Sequence, residues 1–528
     1  MNNSPPDDFY LISYSTPEFS LPLFGDQKPE VGPKASVLIG PNGSNKSRVL
    51  ASLVEELTNI DGLRRELEES SGGVQDTKSQ FRPQTQELFP DARQLSSGVS
   101  SKERSAHSSQ AEIKYRLGKD VWTIERKQRS LRVWQNAERV GALDFPFPDK
   151  AIAVAHLPTD RFKFNRHHDD DDFYVYLGLR QATNMTTTGA LESKVVLSFI
   201  DAMQRVRAPA IFSNWLSDLS LGPSLKIEIG LDRRVHYETT SFEEFADEAI
   251  SRLERFAGAR RPLSEDRREE TQRNLKAFWP FLCALREFPT RKRRSKLRYR
   301  PVAYSLEFDV DHLPAVFTEF DVAEMIRVGR SLRVVSDISL VFTKSQYEVD
   351  FSELSSGEQQ VLGTVIRSVA ELGQNSVLVI DEPEVSLHPA WQRQYLPRLL
   401  ETLSFFPETH VILATHSHFM VADLAEGKAS LTVATTNPEA RFQSFDGGVY
   451  GRSPENILYR VFGIATTSNF YVERDLTKAL RIVSGVDDFD HQELSEIFGR
   501  LQVINEPDNE ALIEILDRIQ IVLERGVE

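Results

Sequence analysis

Apolar positions near the start of the chain fall into two short runs, Phe9 to Ser15 and Ser36 to Ile39, that read as strands. The second run enters a glycine-bearing turn and then a helical spacing from Ser47 to Leu57, which gives strand, loop and helix in succession. From Asn59 to Gln110 the chain is polar, and the pattern predicts little regular structure between Ser70 and Gln110. Alternation returns over Ala111 to Leu117, Val121 to Lys127 and Ser130 to Gln135, with Gly118, Lys119 and Asp120 as a turn, so an antiparallel meander is expected. Lys150 to Leu157 predicts one more buried strand. Between Gly189 and Glu287 the spacing is mostly helical, as in Phe242 to Phe256 and Arg268 to Leu285, which predicts an inserted helical lobe. Strands at Val302 to Val310 and Ile338 to Phe342 precede a motif-bearing segment, Phe351 to Ala422. After a strand at Leu431 to Ala434 the pattern becomes helical again, as over Asn509 to Leu523, and no tandem repeat is visible. The fold class is therefore α/β.

Composition narrows the function classes. With 528 residues, 40% hydrophobic and 27% charged, the chain can fill a sizeable core. No run approaches the roughly 18 consecutive apolar residues of a membrane span, and Met1 to Asp8 is polar and acidic, unlike an export signal, so a soluble cytoplasmic protein without a membrane partner is expected. The one cysteine, Cys283, excludes a disulfide framework or cysteine-rich zinc site and is expected in a helical core. A net charge of -15 argues against a uniformly basic nucleic-acid coat. Local basic runs exist at Arg260, Arg261, Arg267 and Arg268 and from Arg291 to Arg300; such runs are more often solvated faces than nucleic-acid contacts, and both readings stay open. Asp169 to Asp172, after His167 and His168, reads as a solvated acidic loop rather than a metal site.

The chemistry sits in separated elements. Gly40-Pro41-Asn42-Gly43-Ser44-Asn45-Lys46-Ser47 occupies the place of a P-loop, after a strand and before a helix. Its backbone N–H groups, the helix start and Lys46 suit the phosphates of ATP, while the Ser47 hydroxyl suits Mg2+. Asn45 stands where a second glycine is usual; asparagine is the least costly substitute if that residue is left-handed, and slowed hydrolysis is the expected price. Ser376 to Glu382 reads as a buried strand ending in two acids, with Asp381 for the metal and Glu382 as general base. Phe351 to Gln360 then leads into a helix, and Leu354-Ser355-Ser356-Gly357-Glu358 resembles the signature loop of ABC-type ATPases, in the version of the SMC and double-strand-break-repair branch.

That resemblance implies an ABC-type ATPase head: a P-loop core with an antiparallel β-subdomain, here with the helical lobe inserted. It also implies that Ser355, Gly357 and Glu358 meet nucleotide held by a second copy, so the site is complete only in a homodimer, with higher oligomers open. Pro383 to Pro389 looks like the family's D-loop, and His416 in Thr415-His416-Ser417 like its switch histidine. The family's Q-loop has no clear glutamine here; Ala151 to Ala155 followed by His156 to Phe162 is the matching strand and loop, which brings His156 or Asp160 into question as metal neighbours. The expected division is 1–58 (head with P-loop), 59–110 (polar excursion), 111–188 (meander and Q-loop-like part), 189–300 (helical, partly basic lobe), 301–450 (signature to switch histidine) and 451–528 (helical).

The wording of Asp381 to Pro389, with Tyr174 to Arg180 upstream, resembles stand-alone bacterial ATPases of the OLD-like and PtuA-like group, Septu-type or retron-associated. Its PtuA-type members partner an HNH nuclease, whereas OLD-family nucleases carry a C-terminal Toprim domain. The resemblance implies an ATP-binding, ATP-hydrolysing subunit of an anti-phage complex that regulates a separate nuclease. Too few residues follow Leu431 for a Toprim domain, so no nuclease activity is expected in this chain. The alternative is an SMC-like repair or recombination ATPase that binds DNA through the Arg291 region.

Overall fold

The computed structural model describes residues 8–24, 32–71, 110–164, 172–179, 188–232, 241–256, 264–292, 302–421, 424, 427–435, 441–445, 470–503 and 510–525. The chain opens with strands β1 (Phe9–Thr16), β2 (Phe19–Pro22) and β3 (Lys34–Ile39) and helix α1 (Lys46–Ser71). Strands β4 (Gln110–Leu117), β5 (Asp120–Lys127), β6 (Ser130–Gln135), β7 (Glu138–Val140), β8 (Ala151–Ala155) and β9 (Tyr174–Tyr176) follow. Next come α2 (Thr188–Met203), α3 (Ala208–Asp218), β10 (Ser224–Leu231), α4 (Phe242–Phe256), α5 (Glu265–Leu285), β11 (Thr290–Lys292) and β12 (Val302–Asp309). The short α6 (Val316–Glu319) and α7 (Val322–Ser331) lead to β13 (Val335–Lys344) and β14 (Tyr347–Asp350). The motif-bearing part holds α8 (Ser356–Glu371), β15 (Val377–Asp381), α9 (Pro389–Leu403), β16 (His410–Thr415), β17 (Ala429–Ala434) and β18 (Phe442–Ser444). Helices α10 (Phe470–Val483), α11 (His491–Val503) and α12 (Glu510–Arg525) close the chain around an apolar cluster of their own, with Leu476, Leu494, Leu501 and Ile519 inside.

A seven-stranded sheet in the order β18-β17-β3-β16-β15-β8-β9 forms the centre, parallel except at the β18 edge. Its central strands are apolar without interruption because both faces are covered. Val377, Val379, Ile412, Ala414 and Leu38 pack with α1 and the meander, whereas Leu378, Ile380, Val411, Leu413 and Val37 pack on the other side with α2, α3, α8 and α9. Burying each Val, Leu or Ile side chain is worth about 1.5–3 kcal/mol, so this two-sided cover fixes the sheet more firmly than any single polar contact. The meander is a six-stranded antiparallel sheet, β2-β1-β4-β5-β6-β7, and a second antiparallel sheet runs β11-β12-β10-β13-β14. The chain thus has an α/β core, a mostly parallel sheet with a strand, turn and helix at its carboxyl edge, together with an antiparallel β-subdomain and inserted helices.

Two elements differ from the sequence pattern. Helix α1 continues to Ser71, past the point where the polar excursion was expected to begin. The extension is charged, but Arg64–Glu68 (3.0 Å) and Arg65–Asp61 (2.8 Å) pair across one turn and favour the helix over a loop. The rest of that excursion, 72–109, lies outside the described residues. Within the expected helical stretch, β10 pairs with β12 and β13; Leu225, Ile227, Ile229 and Leu231 alternate and all face the core. Helices α2 to α5 otherwise fill that stretch, and Phe199, Phe212 and Phe278 join the core that holds Leu378 and Leu413. Cys283 on α5 is half-buried rather than buried. No helix among the described residues is long and apolar enough to cross a membrane.

Candidate functional site

Strand β3 is buried at every residue and delivers the 40–45 turn to the sheet's carboxyl edge. Gly40 is required there: a Cβ would lie 2.3 Å from the Ala434 carbonyl oxygen of β17. Pro41, Asn42 and Gly43 make the exposed tip, and Ser44 folds back so that its Oγ donates to Pro41 O at 2.8 Å. Gly43 (φ 81°) and Asn45 (φ 65°) both lie in the left-handed region, which asparagine enters at less cost than other side chains. Helix α1 begins immediately after, so the N–H groups of Lys46 and Ser47 have no intrahelical partner and face an incoming anion.

The Lys46 ammonium is buried and donates to Gly40 O (2.9 Å) and Pro41 O (3.1 Å). Burial pulls its pKa down to about 8, against the carboxylates of Glu382, Glu384 and Asp381. Polyphosphate would offer this ammonium charged partners in place of carbonyls.

β15 alternates about the sheet, which turns Asp381 toward α1, where its Oδ1 accepts from Ser47 Oγ at 3.0 Å. Burial pushes the Asp381 carboxyl up to about 7; the Ser47 hydrogen bond opposes the rise, and Glu382 and Glu384 add to it. A hydroxyl and a desolvated carboxylate side by side form an oxygen donor pair that fits a divalent cation, whose charge would relieve the carboxylate's burial.

Glu382 takes φ 51° while its N–H donates to Ala414 O at 2.9 Å, a left-handed turn that ends the strand. Its Oε1 lies 3.2 Å from His416 Nε2. On the other side of the ring, His416 Nδ1 is 3.0 Å from Lys46 Nζ and 2.9 Å from Gly40 O. No single tautomer satisfies this set: a proton on Nε2 serves Glu382 and lets Nδ1 accept from Lys46 but leaves Gly40 O facing a lone pair, whereas a proton on Nδ1 serves Gly40 O instead. The strand register explains the meeting: β3, β16 and β15 are adjacent and parallel, so residues 40, 416 and 382 all emerge at the same edge.

Ser355 caps α8: its side chain accepts from Glu358 N, and the Glu358 carboxylate accepts from Ser355 N (2.9 Å) and Ser355 Oγ (2.8 Å). Lys344 holds Glu358 from outside at 2.5 Å. That carboxylate therefore stiffens the loop rather than pointing free toward a ligand, while Ser355 stays exposed. A Cβ on Gly357 would stand 3.0 Å from Ser386 O, so glycine lets the signature turn lie against the 383–388 loop. The hydrogen bonds of Ser355 stay within its own turn, and none reaches residues 40–47.

The Q-loop expectation fares differently. Ala155 pairs with Asp381, but the alternation of β8 sends His156 to the face opposite α1, beside Arg367 of α8. Burial and Arg367 push His156 down to about 3, and its Nε2 has no hydrogen-bond partner. Asp160 accepts from Tyr176 Oη at 2.6 Å and from Phe162 N at 3.0 Å, so it orders its own loop. The His156 side chain thus lies on the face of the sheet away from Ser47 and Asp381. Of the basic runs, 257–263 and 293–300 lie outside the described residues; Arg291 and Lys292 belong to edge strand β11, and Arg267 and Arg268 are exposed on α5. The acidic run falls outside as well, apart from Asp172, and the described residues hold no cluster of three metal-ligating side chains.

Residues that the motif reading passed over stitch these loops together. Glu384 Oε1 accepts from His416 N at 2.5 Å. Gln392 Nε2 donates to Leu387 O at 2.8 Å, its Oε1 accepts from Ser417 Oγ at 2.5 Å, and Gln360 Nε2 of α8 donates to Pro383 O at 2.6 Å. Helical spacing places Gln360 and Gln392 near the loop, but the reversal at Glu382 that returns Glu384 to His416 has no local signal.

A family model described as "AAA domain, putative AbiEii toxin, Type IV TA system" matches residues 35–422, a range that holds every site residue named above. "Retron Ec83 probable ATPase" of Escherichia coli is 30% identical over 91 residues, a match that spans 15% of this chain and 16% of that protein. Among solved structures, the Smc head domain of Pyrococcus furiosus bound to the C-terminal domain of ScpA aligns over 83% of this chain and 96% of its own at 11% identity, with a TM-score of 0.31. The SMC head domain of Thermotoga maritima aligns over 84% and 100% at 10% identity, with a TM-score of 0.28.

Proposed function

The chain belongs to the AAA-domain family whose model spans its motif-bearing region, and from that membership we propose that it binds and hydrolyses ATP as a nucleotide-clamped homodimer within a bacterial anti-phage complex. The observation that carries the reading is the meeting of Lys46, Ser47, Asp381, Glu382 and His416 at one edge of the central sheet. On this reading Lys46 exchanges the Gly40 and Pro41 carbonyls for the outer phosphates, and the Gly43 to Ser47 backbone wraps the chain of phosphates. Ser47 and Asp381 would hold Mg2+, which when bound supplies positive charge to the phosphate oxygens. Glu382 orients and deprotonates the attacking water, and His416 donates to the terminal phosphate. Ser355 and Gly357 would close on nucleotide held by the second copy.

The anti-phage role rests on the Escherichia coli retron ATPase match, together with the PtuA-like wording of Asp381 to Pro389. A separate nuclease of the HNH type is then the partner whose access the ATP-bound dimer regulates, and the chain itself does not cut DNA. The decisive experiment is Glu382→Gln with sedimentation sizing. ATP should shift this variant to a stable dimer with turnover reduced by about a hundredfold or more; a variant that stays monomeric at saturating ATP would sink the clamp.

A further inference from the structure

Glu384 is the most economical explanation of how the site's parts are held in one frame. The left-handed turn at Glu382 and the ring of Pro383 reverse the chain just past β15, and this brings the Glu384 side chain back to the end of β16. There its Oε1 accepts the backbone N–H of His416 at 2.5 Å. Its Oε2 is buried and has no hydrogen-bond partner. A carboxylate taken out of water for one hydrogen bond is costly and is retained where that bond has a purpose. The backbone around it is fixed from two directions. Gln392 of α9 donates to Glu384 O (3.4 Å) and Leu387 O (2.8 Å), while Gln360 of α8 donates to Pro383 O (2.6 Å). Close packing of Gly357 on Ser386 brings the signature turn onto the same loop. His416, held through its N–H, places its imidazole between Lys46 and Glu382.

We infer that Glu384 is a positioning residue for His416: it clamps the N–H of the residue whose ring faces the nucleotide turn, and it transmits to that ring any shift of the 383–387 loop produced by α8. The proposal rests on the reading of His416 as a phosphate-facing group, and it deepens that reading by naming what sets the ring's position. The clamp is mechanical, so an uncharged acceptor should replace it. Glu384→Gln keeps an oxygen for the His416 N–H, Glu384→Ala removes it, and Glu384→Asp keeps the charge but shortens the reach by one methylene.

The full-length protein is tested by hydrogen exchange of the peptide that carries the His416 amide, by affinity for a non-hydrolysable ATP analogue, and by ATP turnover. In Glu384→Ala, exchange at His416 should speed up about tenfold or more and turnover should fall by a similar factor, the scale of one charge-assisted hydrogen bond. Analogue affinity should stay within about threefold, since the phosphate turn keeps its own contacts. Glu384→Gln should restore exchange and turnover to near the parent values, and Glu384→Asp, the substitute if the alanine variant does not fold, should show the same faster exchange and lower turnover. Unchanged exchange in Ala and Asp overturns the inference, and so does a Gln variant as impaired as Ala. A parent protein that binds the analogue but turns over no ATP removes the hydrolytic reading instead, and exchange alone then decides the role of Glu384.

Discussion

Two histidines mark the two ends of β16, and they live in opposite environments. At the start of the strand His410 is fully buried: its Nδ1 accepts from Leu11 N at 3.0 Å, so Nε2 carries the proton and donates to Ser36 Oγ at 3.0 Å, and Ser36 pairs with Ser430 at 2.9 Å. Each ring nitrogen has one partner, and all of those partners are neutral. Burial and the Lys34 charge push this imidazole down to about 3, so it stays uncharged. Just past the other end, His416 stands among an ammonium, a carboxylate and a carbonyl that compete for two ring nitrogens. The first arrangement has one solution and serves the fold. The second has several, and a ligand can choose among them.

Substitutions should separate the two ends. His410→Ala empties a ring-sized volume and leaves Leu11 N–H without a partner and Ser36 with Ser430 alone, so stability should fall by roughly 3–5 kcal/mol in urea unfolding while the folded fraction still binds nucleotide. Lys46→Ala should do the reverse. It removes a buried ammonium held by two carbonyls, the Ser44 hydroxyl and one imidazole, so ATP affinity should drop by about a hundredfold or more in titration calorimetry with the melting temperature unchanged or raised. His416→Ala belongs with Lys46, with turnover lowered by about a hundredfold and stability altered by less than about 1 kcal/mol.

Acid sharpens the contrast. A histidine whose folded pKa is about 3, as at His410 and His156, gives its full stability above its unfolded value and loses it as pH falls, because only the unfolded chain takes up the proton. Asp381, raised to about 7, acts the other way, since the folded chain keeps a proton that the unfolded chain releases. From pH 6.5 to 5 each group contributes at most about 2 kcal/mol, so two histidines against one aspartate leave a net loss of roughly 2 kcal/mol. Denaturant titrations at the two pH values check it, and His410→Gln should flatten the slope. The smallest effect is expected at Asn45→Gly. Both residues accept φ 65°, so ATP affinity should change by less than about threefold, and a large gain would mean that the asparagine side chain obstructs the turn.

Much of this was legible from the residues because the central strands obey simple rules. Continuous apolar runs ending in Gly40, Asp381 and Thr415 could only be covered strands, and parallel pairing brings their ends together. The meander announced itself by alternation at Ile113, Ile124 and Val133. Strand β10 was hidden because its short alternation sits among longer helical spacings. The far half of α1 was hidden because a helix stabilised by its own ion pairs has no apolar stripe. His156 shows the limit of spacing arguments, since the residue stands at the expected position and the pleat turns it away. Glu384 depended on a left-handed residue two positions earlier, and no local preference reports that.

The alternation of β15 between its two covered faces carries a consequence for how the gene can vary. Val377 to Ile380 could exchange among aliphatic residues with modest loss, but adding or removing one residue would rotate every later side chain by half a turn. Asp381 would then leave Ser47 and enter the apolar layer beneath α8. Across related genes this strand should tolerate spelling changes and refuse changes of length.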